Sequence, residues 1–118
     1  MPYMLLIVEP VGQRQARGEA EGRAVHERML RFAADLKSRG LLLRAESLAS
    51  QSQAARVTVR DRQAAVLDGP FAEAKEMIGG FFLVDCATRE EAIRIAAQCP
   101  AAEWCTVEVR RVAPCYEV

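Results

Sequence analysis

The chain has 118 residues and a mass of 13.0 kDa, a length that suits one domain and would leave two cores undersized. With 51% hydrophobic and 27% charged residues it lacks the composition of a disordered, collagen-like or coiled-coil protein. Sixteen Lys plus Arg balance sixteen Asp plus Glu, so no whole-molecule field is available to hold nucleic acid or an anionic membrane.

Pro2 to Val8 reads as a strand, and its two faces, Tyr3-Leu5-Ile7 and Met4-Leu6-Val8, are both apolar, so both require cover. Glu9 and Pro10 end this run far short of a spanning helix, and no basic residues precede it as in a signal peptide, which makes the cytoplasm the expected location. Glu9 to Gln15 reads as a loop. From Glu19 to Arg39 the period becomes helical: Val25, Met29, Phe32 and Leu36 form one stripe, and Gly40 supplies the terminating glycine.

Leu41 to Leu48 is expected to be a second strand and Ala49 to Gln53 a loop. The alternating run Arg56 to Arg60 and the apolar run Ala64 to Leu67 that resumes after Asp61-Arg62 predict a hairpin. Asp68-Gly69-Pro70 breaks the chain, Phe71 to Met77 is expected to make two helical turns, and Gly79-Gly80 leads into the strand Phe81 to Cys86. Thr88 and Glu91 form a capping box before a helix carrying Ala92, Ile95, Ala96 and Cys99, stopped before Pro100. Trp104 to Val112 closes the domain as a final strand.

This order predicts a two-layer α+β sandwich of ferredoxin-like type, with two main helices on one face of an antiparallel sheet. The helices cover one face only. The other, apolar along both the first and the Phe81 strand, calls for a second copy of the chain, since twofold homodimers are the commonest oligomers. No internal repeat or low-complexity segment is visible.

Chemistry must come from few groups. No G-x-G-x-x-G, Walker A, G-x-S-x-G or H-E-x-x-H motif is present. Cys86, Cys99, Cys105 and Cys115 form no C-x-x-C pair and His26 is the sole histidine, so neither a metal nor a cofactor is expected, and the thiols read as free, small hydrophobes. The dense segment Asp68 to Glu76 places four ionisable groups around a Gly-Pro turn.

That segment, Asp68-Gly69-Pro70-Phe71-Ala72-Glu73 with Lys75-Glu76 and Gly79-Gly80-Phe81, together with the opening Tyr3-Met4-Leu5-Leu6-Ile7 and the closing Val107-Glu108-Val109-Arg110, resembles the DGPF branch of the YCII-related family. The resemblance implies a ferredoxin-like dimeric α/β barrel in a cytoplasmic bacterial protein, with relatives often encoded beside extracytoplasmic-function sigma factors. Arg62 stands where relatives often have glycine, and Arg111 where they often have proline.

The resemblance further implies an active site pairing a histidine near the start of the first helix with an aspartate, and one branch carries out dehydrochlorination of a hydroxylated aromatic. His26 occupies the matching turn, and Asp68 is the candidate aspartate. A carboxylate beside an imidazole fixes its tautomer and stabilises the imidazolium, which suits proton transfer on a small cyclic or aromatic substrate. Phe71, Glu73, Lys75 and Glu76 in the dense segment, and Glu108 and Arg110 on the open sheet face, are the expected substrate-binding residues. Two readings follow: a cofactor-independent acid–base enzyme of isomerase, lyase or dehydrochlorinase-like type, or a non-enzymatic ligand-binding or regulatory partner, linked to a sigma factor, that uses the DGPF turn for recognition. Haem or metal chemistry is the weaker third, with no ligand set around the one histidine.

Overall fold

The computed structural model describes residues 1–118. Six strands, β1 (Pro2–Pro10), β2 (Leu42–Ser47), β3 (Ala55–Arg60), β4 (Gln63–Asp68), β5 (Glu76–Asp85) and β6 (Thr106–Arg111), alternate with the helices α1 (Gln13–Ala16), α2 (Glu19–Ser38) and α3 (Arg89–Gln98). The main sheet has the order β2-β5-β1-β6 with every neighbouring pair antiparallel, and β3 and β4 form a separate two-stranded sheet. With α2 and α3 on one face, this is the ferredoxin-like α+β sandwich. No helix is long and apolar enough to cross a membrane.

The core follows from alternation along β1. Tyr3, Leu5 and Ile7 are buried beneath the helices with Phe82 and Val84 of β5, Phe32 and Leu36 of α2, and Ala92, Ile95 and Ala96 of α3. Phe32 meets Phe82 edge to face, with ring centroids 5.1 Å apart, an arrangement that contributes about 0.5–1.5 kcal/mol beyond its area. Thr88 caps α3, its hydroxyl accepting from the Glu91 N–H at 3.1 Å, and Gly40 follows α2 at φ 71°, as a glycine just past a helix end can. Met4, Leu6 and Val8, with Phe81 and Leu83, are half-buried on the face the helices leave open.

Three local expectations are corrected. Gln13–Ala16 is a short helix rather than loop, and Gln51–Gln53 a single 3₁₀ turn. Phe71 to Met77 is not helical: one N–H, from Ala74 to the Phe71 carbonyl (3.0 Å), closes a turn, and Glu76 and Met77 belong to β5, pairing with Pro10 and Glu9. Sheet pairing across the chain outweighs the local helical preference of Ala, Glu and Lys. Between Ile7 and Val8 the register shifts, because Ile7 pairs with Gly80 and Val8 with Ile78, so Gly79 is the extra residue of a β-bulge.

The β3–β4 hairpin stands out from the body as an arm. Every residue of both strands is exposed, including Val57, Val59, Val66 and Leu67. The radius of gyration, 16.1 Å, exceeds the roughly 13 to 14 Å of a compact chain this long. Its turn residues Asp61 and Arg62 have φ of 52° and 65°, a conformation glycine adopts without strain and arginine does not.

At the base of the arm the Asp68-Gly69-Pro70-Phe71 segment acts as a clamp. The Gly69 N–H donates to the Ala54 carbonyl (2.8 Å), the Gly69–Pro70 peptide is cis, Phe71 is buried, and a Cβ on Gly69 would run into the Gln51 carbonyl oxygen. Gly69→Ala is therefore expected to lower unfolding stability by about 1–3 kcal/mol, the cost of overpacking against backbone. Arg62→Gly should raise it by about 1 kcal/mol through relief of left-handed strain. Urea unfolding of the two variants against the parent checks both signs.

Candidate functional site

The C-terminal half of α2 is anchored through Phe32 and Leu36, while Val25 and Met29 nearer its start are only half-buried. Under that looser half lies a groove of about 1050 Å³, bounded by α1, α2, the β2 and β5 edge of the sheet and the Ala101–Cys105 segment. Its size slightly exceeds the roughly 300–1,000 Å³ of most small-molecule sites. His26 stands on its α2 wall, exposed, with Leu30 one turn on and Arg23 one turn back.

The floor is held by an ion pair between a buried carboxylate and a partly exposed arginine. The alternation that sends Tyr3, Leu5 and Ile7 inward continues to Glu9, whose side chain is 7% exposed. Arg14 grips it with two bonds, Nε to Oε2 at 3.0 Å and Nη2 to Oε1 at 2.7 Å, and also donates to the carbonyls of Leu48 (2.8 Å) and Gly79 (3.4 Å). The absence of a side chain at Gly79 is required here, since a Cβ would occupy the place of the Glu9 carboxylate. At the groove's far end the Trp104 ring has the guanidinium groups of Arg17 (6.0 Å to the ring centroid) and Arg28 (5.3 Å) over it, and Arg28 is also paired with Glu103. Gln13 fastens α1 to this end, donating to the Trp104 carbonyl at 2.7 Å.

The expected site residues are dispersed. His26 lines the groove, whereas Asp68, the last residue of β4, is exposed, pairs with Ala55 and lines neither of the two principal cavities. Phe71 and Glu76 line a second, smaller cavity, and Glu73 and Lys75 are exposed on the turn before β5. Glu108 and Arg110 lie on the open sheet face, opposite Leu6 and Met4 on β1. Glu9, Arg14 and Trp104 were not among the expected residues. The inward parity of Glu9 was the readable signal for the first, but nothing local tells that Arg14 or Trp104 folds onto the same groove.

Three thiols have raised pKa values. Burial is the main cause at Cys86 and Cys99, and at Cys105 burial followed by the Glu9 charge pushes the thiol up to about 11. Cys105 is thus protonated in the fold at pH values where an unfolded thiol, with a pKa of about 8.5, has ionised. Folding then binds the proton more tightly, and this contribution is full below the unfolded pKa and lost as pH rises toward 11. Denaturant midpoints should fall between about pH 8.5 and 11, less steeply in Cys105→Ala.

The family model of the YCII-related domain matches residues 1–115. An uncharacterised protein of Rhizobium meliloti (strain 1021) is 58% identical over 31 residues, a match that spans 26% of this chain and 25% of that protein. With the matching family model covering every residue from β1 through β6, the chain belongs to the YCII-related family.

Proposed function

We propose that the protein binds a small cyclic or aromatic molecule in the groove beneath α2 and moves a proton on it without a cofactor, in the manner of an isomerase, lyase or dehydrochlorinase, with His26 as the proton-transfer group. The supporting observation is that the one histidine of the chain lines the same large groove as a buried carboxylate, the guanidinium paired with it and an aromatic ring. An imidazole exchanges protons near neutral pH, and the apolar Val25, Met29 and Phe82 that line the same groove suit a ring-shaped substrate.

Two carboxylates compete for the role of orienting His26. Asp68 is the one the family resemblance implies, and Glu9 is the buried one among the four glutamates, Glu9, Glu19, Glu27 and Glu46, that line the groove. Incubation of a panel of small cyclic and aromatic carbon acids in D₂O, with NMR detection of deuterium incorporation, tests the reading. Exchange present in the parent should fall by about a hundredfold or more in His26→Ala. The working carboxylate is the one whose amide variant, Asp68→Asn or Glu9→Gln, lowers exchange but adds nothing to the His26→Ala loss. Equal exchange in the parent and His26→Ala refutes the acid–base role.

A further part of the reading is a homodimer through the open sheet face. Met4, Leu6, Phe81 and Leu83 form an apolar strip there, flanked by Glu108 and Arg110 on one side and the Arg44–Glu46 ion pair on the other. The exposed aliphatic arm favours, as a second reading, a regulatory protein that docks another chain, a sigma factor being the partner the resemblance implies. Sedimentation should give the mass of two chains for the parent and of one for Leu83→Arg, which would place a charge in the dimer's centre.

A further inference from the structure

The second cavity, about 480 Å³, lies apart from His26, where the end of β1 and the start of β5 meet the Gln51–Gln53 turn and the clamp at Phe71. Its walls are apolar, formed by Val8, Leu48, Phe71, Met77 and Ile78. Five polar residues line it, Ser50, Gln51, Gln53, Arg56 and Glu76, and three of them bear on what it can hold: Gln51, Arg56 and Glu76.

Each of these three has hydrogen-bonding capacity that the chain leaves unused. Gln51 is 8% exposed. Its backbone N–H donates to Met77 Sδ (3.4 Å) and its carbonyl accepts from Ala54 (3.0 Å), while its carboxamide bonds to no other side chain or backbone group. The unpaired carboxamide atoms of this otherwise buried residue are open to solvent, where a ligand group that pairs with them takes the place of water. Arg56 lays its guanidinium on the Phe71 ring at 3.8 Å and joins no ion pair, which occupies its face and leaves its N–H edge free. A guanidinium edge takes a carboxylate through two parallel hydrogen bonds. Glu76 also joins no ion pair, with Arg56 or any other cation, so opposite charges line one cavity without touching.

We infer that this cavity binds a small zwitterion with an apolar side chain, the chemistry of a free aliphatic or thioether α-amino acid. The carboxylate meets Arg56, the ammonium meets Glu76, Gln51 bonds to either, and the side chain lies against Leu48, Met77 and Ile78. A plain carboxylic acid would leave Glu76 facing its negative charge, and a plain amine would leave Arg56 facing its positive one. Phe71 and Gly69 hold the Arg56 face and the Gln51 turn in place, which gives the clamp a role in the cavity as well as in the arm.

Calorimetric titration of the whole chain with L-leucine and L-methionine, and with 4-methylpentanoate and 3-methylbutylamine as one-charge analogues, tests this. Saturable binding of either amino acid is expected, with each analogue weaker by about tenfold or more, and with Arg56→Gln and Glu76→Gln each weakening the amino acid by a similar factor. The methyl resonance of Met77, assigned through Met77→Leu, should shift on addition of L-leucine. Thermal unfolding of both charge variants confirms that they remain folded. Absence of saturable binding to the parent, equal affinity for the one-charge analogues, or full affinity in both folded variants overturns the inference.

Discussion

The grip of Arg14 on the buried Glu9 carboxylate ties together parts of the chain that the sheet alone does not join. Taking a carboxylate out of water costs several kcal/mol, and only a well-shaped partner with further hydrogen bonds offsets it. Arg14 meets that demand by binding Glu9 through two nitrogens and the carbonyls of Leu48 and Gly79 through the same guanidinium. The end of β1, the short helix α1, the segment after β2 and the bulge in β5 thereby share one point of attachment. The groove is open above this point because α2 is secured at Phe32 and Leu36 and not at its start.

Much of the architecture could be read from residue order. Period-two alternation in β1, the Val25-Met29-Phe32-Leu36 stripe, the Thr88–Glu91 cap and the hairpin about Asp61-Arg62 all reappear, since each depends on neighbours in sequence. Expectations failed where distant pairing decided the outcome. Ala72 to Met77 has the composition of a helix, yet Glu76 and Met77 are drawn into a strand by Pro10 and Glu9, more than sixty positions away. The candidate site was less legible for the same reason: His26 could be placed on a helix, but the residues opposite it come from α1, β5 and the segment before β6.

The DGPF segment illustrates how a conspicuous motif can serve geometry first. Gly69 fits against the Gln51 carbonyl, Phe71 is buried under the Arg56 guanidinium, and Asp68 ends β4. Charged residues of the segment are left mostly in solvent, where individual ion pairs contribute little. The segment fixes how the arm leaves the body and shapes the smaller cavity, while the larger groove is built from residues that carry no recognisable motif.

The extra residue at Gly79 also sets the phase of β5. In a strand, side chains alternate between faces, so one inserted residue reverses the assignment of everything on one side of it. Ile78 is thereby brought opposite Val8 and Glu76 opposite Pro10, while Phe81 still meets Leu6. A chain lacking that single glycine could keep its sheet only by turning Glu76, Met77 and Ile78 over, exchanging which of them faces the helices. The bulge therefore acts as a reading-frame marker within the strand: it lets one continuous β5 keep Glu76 and Ile78, at even positions, on the same face as Phe81 and Leu83, at odd ones, without a break in the chain.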